Sequence, residues 1–322
     1  MTIKEGMRFS LIVPVAPGRN AEILEAIKHL DYPKDQFHVV VAVGTNASYN
    51  RNRGIMRSMG EYVVFLDDDA IIESDYLRKI DLFLERHPDI DIVGGPQLTP
   101  PDDGFFAKIS GYALASFFGA WKLANRYEGK YEKLDVDETA LTSANLICKK
   151  KVVEKVKFDE TLFPGEDPKF ISDAKKAGFR VAYTPTFILY HKRRATFPAF
   201  VKQMYNYGKA RPKKEGFFQT LKMPFFFIPS LFVLYLLALI GSALFYPSIT
   251  ASVTDFGTRG ISQGFLWFLP LIAYIVLMLV FGLIDAVKNN HVRAFFVLPF
   301  IYPVIHISYG LGMIAGYVKK VL

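Results

Sequence analysis

A single cysteine, Cys148, occurs among the 322 residues, so no intramolecular disulfide can form. That suits a soluble part kept in a reducing, cytoplasmic compartment. An apolar leader core is also missing. The first residues, Met1-Thr2-Ile3-Lys4-Glu5-Gly6-Met7-Arg8, are largely polar, and no cleavable signal is expected. Internal repeats and low-complexity tracts are absent as well. Charge is lacking from three long stretches. No Asp, Glu, Lys or Arg occurs in the 32 residues between Lys222 and Asp255, the 25 between Arg259 and Asp285, or the 25 between Arg293 and Lys319. A bilayer core needs about 20 apolar residues per helix, which argues strongly against a wholly soluble protein.

Net positive charge is lacking over most of the chain. The total is +8, yet residues 1–190 sum to −3, residues 191–222 to +8 and residues 223–322 to +3. The excess lies just ahead of the first apolar stretch. This is the pattern of the positive-inside rule and of attraction to anionic head groups. A basic run that abuts an apolar span points to membrane lipids, and no nucleic acid partner is expected.

Residues 9–190 alternate strand and helix signals. Phe9–Val15, Phe37–Val43, Glu61–Leu66 and Asp91–Val93 are strand-like, and Thr139–Ile147, Arg180–Tyr183 and Phe187–Tyr190 complete the set. Helical spacing marks Arg19–Leu30 and Asn50–Met59, and Ser74 is the expected N-cap of a helix reaching Glu85. Apolar strands alternating with helices predict a parallel-type α/β sheet covered on both faces. Ligands bind beyond the carboxyl ends of such strands. Phe105–Trp121, with one charge at Lys108, suits either a buried helix or one lying in the membrane interface. Pro198–Arg211 is a basic helix with aromatic residues that leads to the membrane.

Three consecutive carboxylates, Asp67-Asp68-Asp69, follow the buried run Tyr62–Leu66. Close like charges raise one another's pKa unless a cation neutralises them. Mg²⁺ and Mn²⁺ take oxygen ligands and often bind through one or two carboxylates plus substrate phosphates. On an extended chain Asp67 and Asp69 point the same way and could share one task, with Asp68 facing away; an acidic turn capping the next helix is the plainer reading. A second pair, Glu166-Asp167, opens a helix after Pro164-Gly165. Acids there suit the helix dipole, but a carboxylate set apart from a metal-holding cluster also makes a general base for group transfer. His191 closes a strand-like run ahead of Lys192-Arg193-Arg194. It could be a third metal ligand, a diphosphate contact or a surface histidine.

Taken in order, several motifs resemble the family 2 glycosyltransferases. They are Pro14, Arg51-Asn52-Arg53-Gly54, Phe65-Leu66-Asp67-Asp68-Asp69, Ser143-Ala144-Asn145, Pro164-Gly165-Glu166-Asp167, Tyr190-His191 and Tyr207-Gly208-Lys209-Ala210-Arg211. The resemblance spans residues 9–211 and is closest to membrane-anchored members with helices after the catalytic domain. It implies an α/β catalytic domain of GT-A (Rossmann-like) fold followed by an α-helical transmembrane region. It also implies a nucleotide-diphosphate sugar donor (a UDP- or GDP-sugar), an inverting displacement, and Mg²⁺ or Mn²⁺ as cofactor. Pro14, Val43, Asn46, Arg51, Asp67, Asp68, Arg193 and Arg211 are then expected at the donor. Asp67, Asp69 and His191 are expected at the metal, with Asp69 the most direct ligand. Asp167, beside Glu166, is expected to deprotonate the acceptor hydroxyl, and Asn145, Gln203 and Tyr207 to lie near the acceptor. Two departures stand out. The run Val43-Gly44-Thr45-Asn46-Ala47-Ser48 lacks the acid with which most relatives read the nucleotide base, leaving Asn46 and Ser48 as polar replacements. Gln203-Met204-Tyr205-Asn206-Tyr207 lacks the Arg and Trp of the Gln-x-x-Arg-Trp motif of processive synthases, which favours addition of one or few sugars.

The expected organisation is a cytoplasmic catalytic domain over residues 1–215 and a membrane domain over 216–322. The expected spans are Pro224–Tyr246, Phe265–Ile284 and Ala294–Val318, with a neutral first loop at 247–264 and a second loop at Asp285–Arg293 facing the cytoplasm. Three full crossings would put Lys319-Lys320 outside, against the charge rule; Pro299 and Pro303 allow a re-entrant or broken last helix. Gly312-x-x-x-Gly316 suits close helix packing. His306, the one ionisable residue inside the expected spans, suits a hydrogen-bonded packing role. The leading expectation is transfer of a sugar to a polyprenyl-type or lipid-linked acceptor at the cytoplasmic face of the membrane. The alternatives are a processive polysaccharide synthase that exports its product and a catalytically silent membrane scaffold or transporter component.

Overall fold

The computed structural model describes residues 6–245 and 263–321. The expected first loop and the end of the first span, at Tyr246, lie almost wholly outside them. The chain divides into two compact units, Met1–Ala195 and Thr196–Leu322.

The first unit is built on a six-stranded sheet of β1 (Phe9–Val15), β2 (Phe37–Val43), β3 (Tyr62–Leu66), β5 (Ile92–Gly94), β7 (Asn145–Lys149) and β8 (Val181–Tyr183), in the order β2-β1-β3-β7-β5-β8. A three-stranded sheet joins β4 (Ala70–Ile72), β9 (Leu189–His191) and β6 (Gln97–Leu98), in the order β4-β9-β6. Helices α1 (Ile23–Lys28), α2 (Ala47–Met56), α3 (Tyr76–Arg86), α4 (Phe105–Leu114), α5 (Phe117–Ala120), α6 (Lys150–Lys155) and α7 (Glu166–Lys176) alternate with the strands. Side chains of alternate strand residues face opposite ways, so each central strand feeds two cores. Phe9, Leu11 and Val13 of β1 and Tyr62, Val64 and Leu66 of β3 pack on one face. Ile12, Val63 and Phe65 pack on the other with Phe158, Phe170 and Ile171.

The large sheet is mixed rather than all parallel, because β7 runs antiparallel to both β3 and β5. A strand buried on both faces is apolar whichever way it runs, so composition does not encode its direction. Three local expectations also shift. Ser74 is not the helix cap; α3 starts after Asp75, which makes no side-chain capping bond. α1 is shorter than Arg19–Leu30, starting after Glu22 and ending before His29, and Gly18, at φ 77°, lies in the turn ahead of it. Phe105–Trp121 is not one helix: Ser116 caps a new turn by accepting from the Phe118 amide at 3.2 Å, and a 3-10 turn begins at Trp121, whose φ is 51°. One side of this segment is packed through Ala107, Ile109 and Ala113, while Phe105, Phe117 and Trp121 remain exposed.

The second unit holds α8 (Phe197–Lys214), α9 (Phe217–Thr220), α10 (Ile228–Phe245), α11 (Gln263–Lys288) and α12 (Val292–Val321). Three helical segments, Pro224–Phe245, Leu266–Lys288 and Val292–Lys320, are long and apolar enough to cross a membrane. α12 continues through Pro299 and Pro303 as one helix of 30 residues, roughly 45 Å long and longer than a hydrocarbon core. Its second half runs alongside α8. Gly208, Gly312 and Gly316 let the backbones meet: a Cβ at 316 would sit 2.6 Å from the Lys209 carbonyl oxygen, and one at 312 would collide with the Tyr205 carbonyl. The Gly-x-x-x-Gly signal thus serves the basic helix α8. The Lys320 ammonium donates to the Pro212 carbonyl at 2.7 Å, so the last basic turns of α8 and α12 share one end of the unit. Gly312→Val is expected to destabilise this unit by about 1–3 kcal/mol, because overpacking forces the backbones apart; a lowered unfolding midpoint in detergent checks it.

The helix of the second expected span, Phe265–Ile284, continues to Lys288 and so takes in Asp285, which the sequence places in the loop. Asp285 is buried near its end and accepts from the Tyr302 hydroxyl at 2.6 Å. The helix runs past the apolar stretch, and the hydrogen bond lets a carboxylate be enclosed there. His306 shares a 2.9 Å hydrogen bond with the Tyr274 hydroxyl, a packing role.

Candidate active site

Two acidic segments nearly 100 residues apart meet beyond the ends of β1, β2 and β3. The first is Asp67-Asp68-Asp69, at the end of β3. Strand pairing brings His191 to it: β4 and β9 are antiparallel with Ala70 opposite His191. The His191 Nε2 therefore lies 3.4 Å from Asp67 Oδ2 and 3.3 Å from Asp69 Oδ1. Asp68 turns away and is buried; its Oδ1 lies 3.2 Å from Arg19, which also donates to Asp69 Oδ2 at 3.0 Å.

The second segment opens α7. Gly165, at φ 114°, provides a left-handed turn that other residues disfavour, and it starts the helix on Glu166 and Asp167. Arg51, projecting from the middle of α2, reaches both segments. It donates to Asp67 Oδ1 at 3.1 Å and to Glu166 Oε1 at 3.2 Å, and lies 3.8 Å from Asp167 Oδ1. Asp167 Oδ1 is enclosed and accepts no hydrogen bond.

These contacts split the acids electrostatically. Burial pushes the Asp67 carboxyl up, but the His191 hydrogen bond and the Arg51 charge outweigh it and bring it down to about 2. Burial lowers His191, and the hydrogen bond to Asp67 more than restores it, leaving the imidazole raised. Glu166 goes the other way: burial first, then the neighbouring Asp167 charge, push it up to about 7 against the pull of Arg51. A carboxyl that holds its proton in the fold but not in the unfolded chain stabilises the fold at low pH, and that contribution is lost as pH rises through its native pKa. Glu166 should therefore make the first unit less stable between about pH 5 and 7. The expected loss is on the order of 1 kcal/mol or more, roughly 2–4 °C in melting temperature. Glu166→Gln should flatten that slope in a melting series over the same pH range.

The other expected site residues are placed as follows. Pro14 is buried in β1, and Val43 ends β2 with an exposed side chain. Asn46 caps α2 by accepting from the Tyr49 amide at 3.0 Å and donates to the Glu160 carbonyl at 2.7 Å. Asn145 is not available to an acceptor. It is fully enclosed, because β7 places it opposite Leu66 of β3. There it accepts from the Tyr76 hydroxyl at 2.6 Å and donates to the Pro96 and Phe187 carbonyls. Arg193 is held on the β6 segment: it donates to the Gln97 carbonyl and to Thr99, and stacks on Tyr127. Arg211, Gln203 and Tyr207 belong to the second unit. There Arg211 pairs with Glu215 at 3.0 Å and packs on the Phe226 ring, and Gln203 donates to the Tyr207 hydroxyl at 3.2 Å. The residue overlooked in the sequence is Arg19. Its signal is position: it follows the Pro17-Gly18 turn at the carboxyl end of β1, where ligands of such sheets collect.

No group of three or more His, Cys, Asp or Glu side chains among the described residues is arranged as a ready-made metal site. The donor chemistry is nevertheless right for a hard divalent cation. Two carboxylates and an imidazole converge as oxygen and nitrogen donors, with Arg19 and Arg51 paired to the same two acids.

The chain matches the family described as Glycosyl transferase family group 2 over residues 62–285, and it belongs to that family. It is therefore a glycosyltransferase of GT-A fold with long apolar helices after the catalytic domain. Among solved structures it is similar to the mannosyltransferase PcManGT from Pyrobaculum calidifontis, in complex with GDP-Man and Mn²⁺. The identity is 13%, covering 97% of this chain and 88% of that one, with a TM-score of 0.54. It is also similar to residues 1–349 of TarS from S. aureus in complex with UDP, at 15% identity, 92% and 91% coverage and a TM-score of 0.45. No curated protein matches the sequence.

Proposed function

We propose that the protein transfers one or a few sugars from a nucleotide-diphosphate donor, a UDP- or GDP-sugar, to a membrane-associated, polyprenyl-type acceptor, with inversion and with the help of Mg²⁺ or Mn²⁺. The observation that carries this reading is the meeting of two acidic segments with unlike surroundings. One holds His191 between two carboxylates; the other presents Asp167, a partly exposed carboxylate set apart from them across Arg51. The mannosyltransferase of similar fold was solved with GDP-Man and Mn²⁺, a donor and an ion of the kind proposed.

Asp67, Asp69 and His191 would hold the metal, which when bound neutralises the charge that develops on the diphosphate leaving group. Arg19, half exposed beside Asp69, would turn to the same phosphates. Asp167 would accept the proton of the acceptor hydroxyl. The hydroxyl oxygen then bonds to the anomeric carbon as the bond to the diphosphate breaks, and the electron pair of that bond leaves with the diphosphate. Attack from the face opposite the leaving group inverts the anomeric centre, so base and metal serve opposite sides of one sugar. We assign the catalytic domain, taken as residues 1–215, to the cytoplasmic face and residues 216–322 to the membrane. The cations of α8 and α12, gathered at one end of their unit, would face anionic head groups there.

The test uses the full chain in nanodiscs, Mn²⁺ or Mg²⁺, a panel of nucleotide sugars, and polyprenyl phosphate as acceptor. Binding of one donor that EDTA abolishes, with an inverted product by NMR, is expected. Failure to bind any nucleotide sugar would overturn the reading.

A further inference from the structure

Arg51 is 4% exposed, and its guanidinium lies among acids from two distant segments. Its outer nitrogens face Asp67 on one side and Glu166 and Asp167 on the other. Its plane lies over the Phe158 ring, 5.4 Å from the centroid. The helix that carries it is fastened on both sides. Towards the sheet, the Asn50 side chain donates through Nδ2 to the Gly44 carbonyl at 2.8 Å, and Gly54 packs closely on Ile12 of β1. Towards α7, Asn52 donates to the Phe158 carbonyl at 2.9 Å and accepts from the Phe158 amide at 3.0 Å, while Asn46 holds the Glu160 carbonyl. The segment leading to Asp167 thus hangs from α2 at several points, and Arg51 spans from it to Asp67.

We infer that Arg51 is a positioning residue, rather than a donor ligand, that sets the separation between the Asp67 side and the Asp167 side of the site. The inference rests on the proposed role of Asp167 as base. A planar fork with fixed N–H directions can hold two carboxylates at a set distance; a lysine is a point charge and cannot. A donor diphosphate would have to displace carboxylates from an enclosed cation, whereas Arg19 offers a half-exposed one. Misplacing reacting groups by about 1 Å can cost roughly a hundredfold in rate, so the span bears on turnover more than on donor binding.

The experiment compares wild type, Arg51→Lys, Arg51→Gln, Glu166→Gln and Arg51→Gln/Glu166→Gln in full-length protein. Binding of UDP and GDP with Mn²⁺ is measured by calorimetry, and turnover with whichever nucleotide sugar the wild type accepts. Arg51→Gln should lower kcat by about a hundredfold and leave nucleotide Kd and donor KM within about threefold. Arg51→Lys should restore the melting temperature further than it restores kcat. The double variant removes one buried acid along with the cation, which keeps it folded where Arg51→Gln alone does not hold. Its melting temperature should recover, while its kcat stays about tenfold or more below that of Glu166→Gln. Either of two results overturns the inference. One is a nucleotide Kd weakened about tenfold or more with kcat little changed, which makes Arg51 a donor ligand. The other is a double variant as active as Glu166→Gln, which makes Arg51 a stabilising residue only. Asp167→Asn, assayed alongside, tests the base assignment separately: wild-type turnover there removes that assignment.

Discussion

Asp167→Asn should lower sugar transfer by about a hundredfold or more at saturating donor, with donor affinity nearly unchanged, since general-base catalysis contributes about 10²–10⁴-fold. The expectation rests on Asp167 standing 3.8 Å from Arg51 with its side chain still partly exposed, which leaves the carboxylate within reach of an acceptor hydroxyl. Asparagine keeps the shape and removes the basicity, so α7 should form and the melting temperature should stay close to wild type. Initial rates at several acceptor concentrations check it. Turnover within a few-fold of wild type would exclude Asp167 as the base and point to another group, or to water, as the proton acceptor.

The second large effect concerns Asp67 and Asp69. The double replacement Asp67→Asn/Asp69→Asn should reduce transfer by about a thousandfold or more and abolish the response to added Mn²⁺, because a bound cation supplies several kcal/mol of charge stabilisation to the leaving diphosphate. EDTA should reproduce the loss in the wild type, and Mn²⁺ should reverse it. Metal-dependent quenching of Trp121 or Trp267 is not required; titration of Mn²⁺ by electron paramagnetic resonance reads binding directly. An EDTA-treated enzyme at full activity would remove the metal from the mechanism. The acids also tie stability to pH. Asp67, held down to about 2, should contribute stability on the order of 2 kcal/mol above pH 4 that is lost as pH falls towards 2. Glu166 works in the opposite sense at higher pH, so the metal-free first unit should be most stable between those two windows.

Much of this was legible in the amino-acid sequence. The three charge-free stretches announced the long apolar helices. The runs ending at Val15, Val43 and Leu66 announced β1, β2 and β3. The order of motifs pointed to the glycosyltransferase family to which the chain belongs. Less was legible where a role depends on a distant partner. Asn145 looks like a site residue within its motif, but antiparallel pairing of β7 with β3 turns it into the core. Arg193 sits among cations in the sequence, yet in the fold it is held by the Gln97 carbonyl, Thr99 and Tyr127. Arg19 gives no signal of its own beyond a turn after a strand. Gly312 and Gly316 look like a contact between membrane spans, but they receive α8.

The amino-acid sequence by itself determined the alternation of strands and helices, the apolar helices and the chemical kinds of side chain available, because periodicity, hydropathy and charge act over a few neighbouring residues. Only the tertiary structure decided which of those side chains meet. The Ala70–His191 register sets His191 against Asp67 and Asp69, and α2, fastened to the sheet and to the segment before α7, carries Arg51 between Asp67 and Asp167. Such meetings follow from strand order and register, which are settled by burial across the whole domain and leave no local mark on the residues concerned.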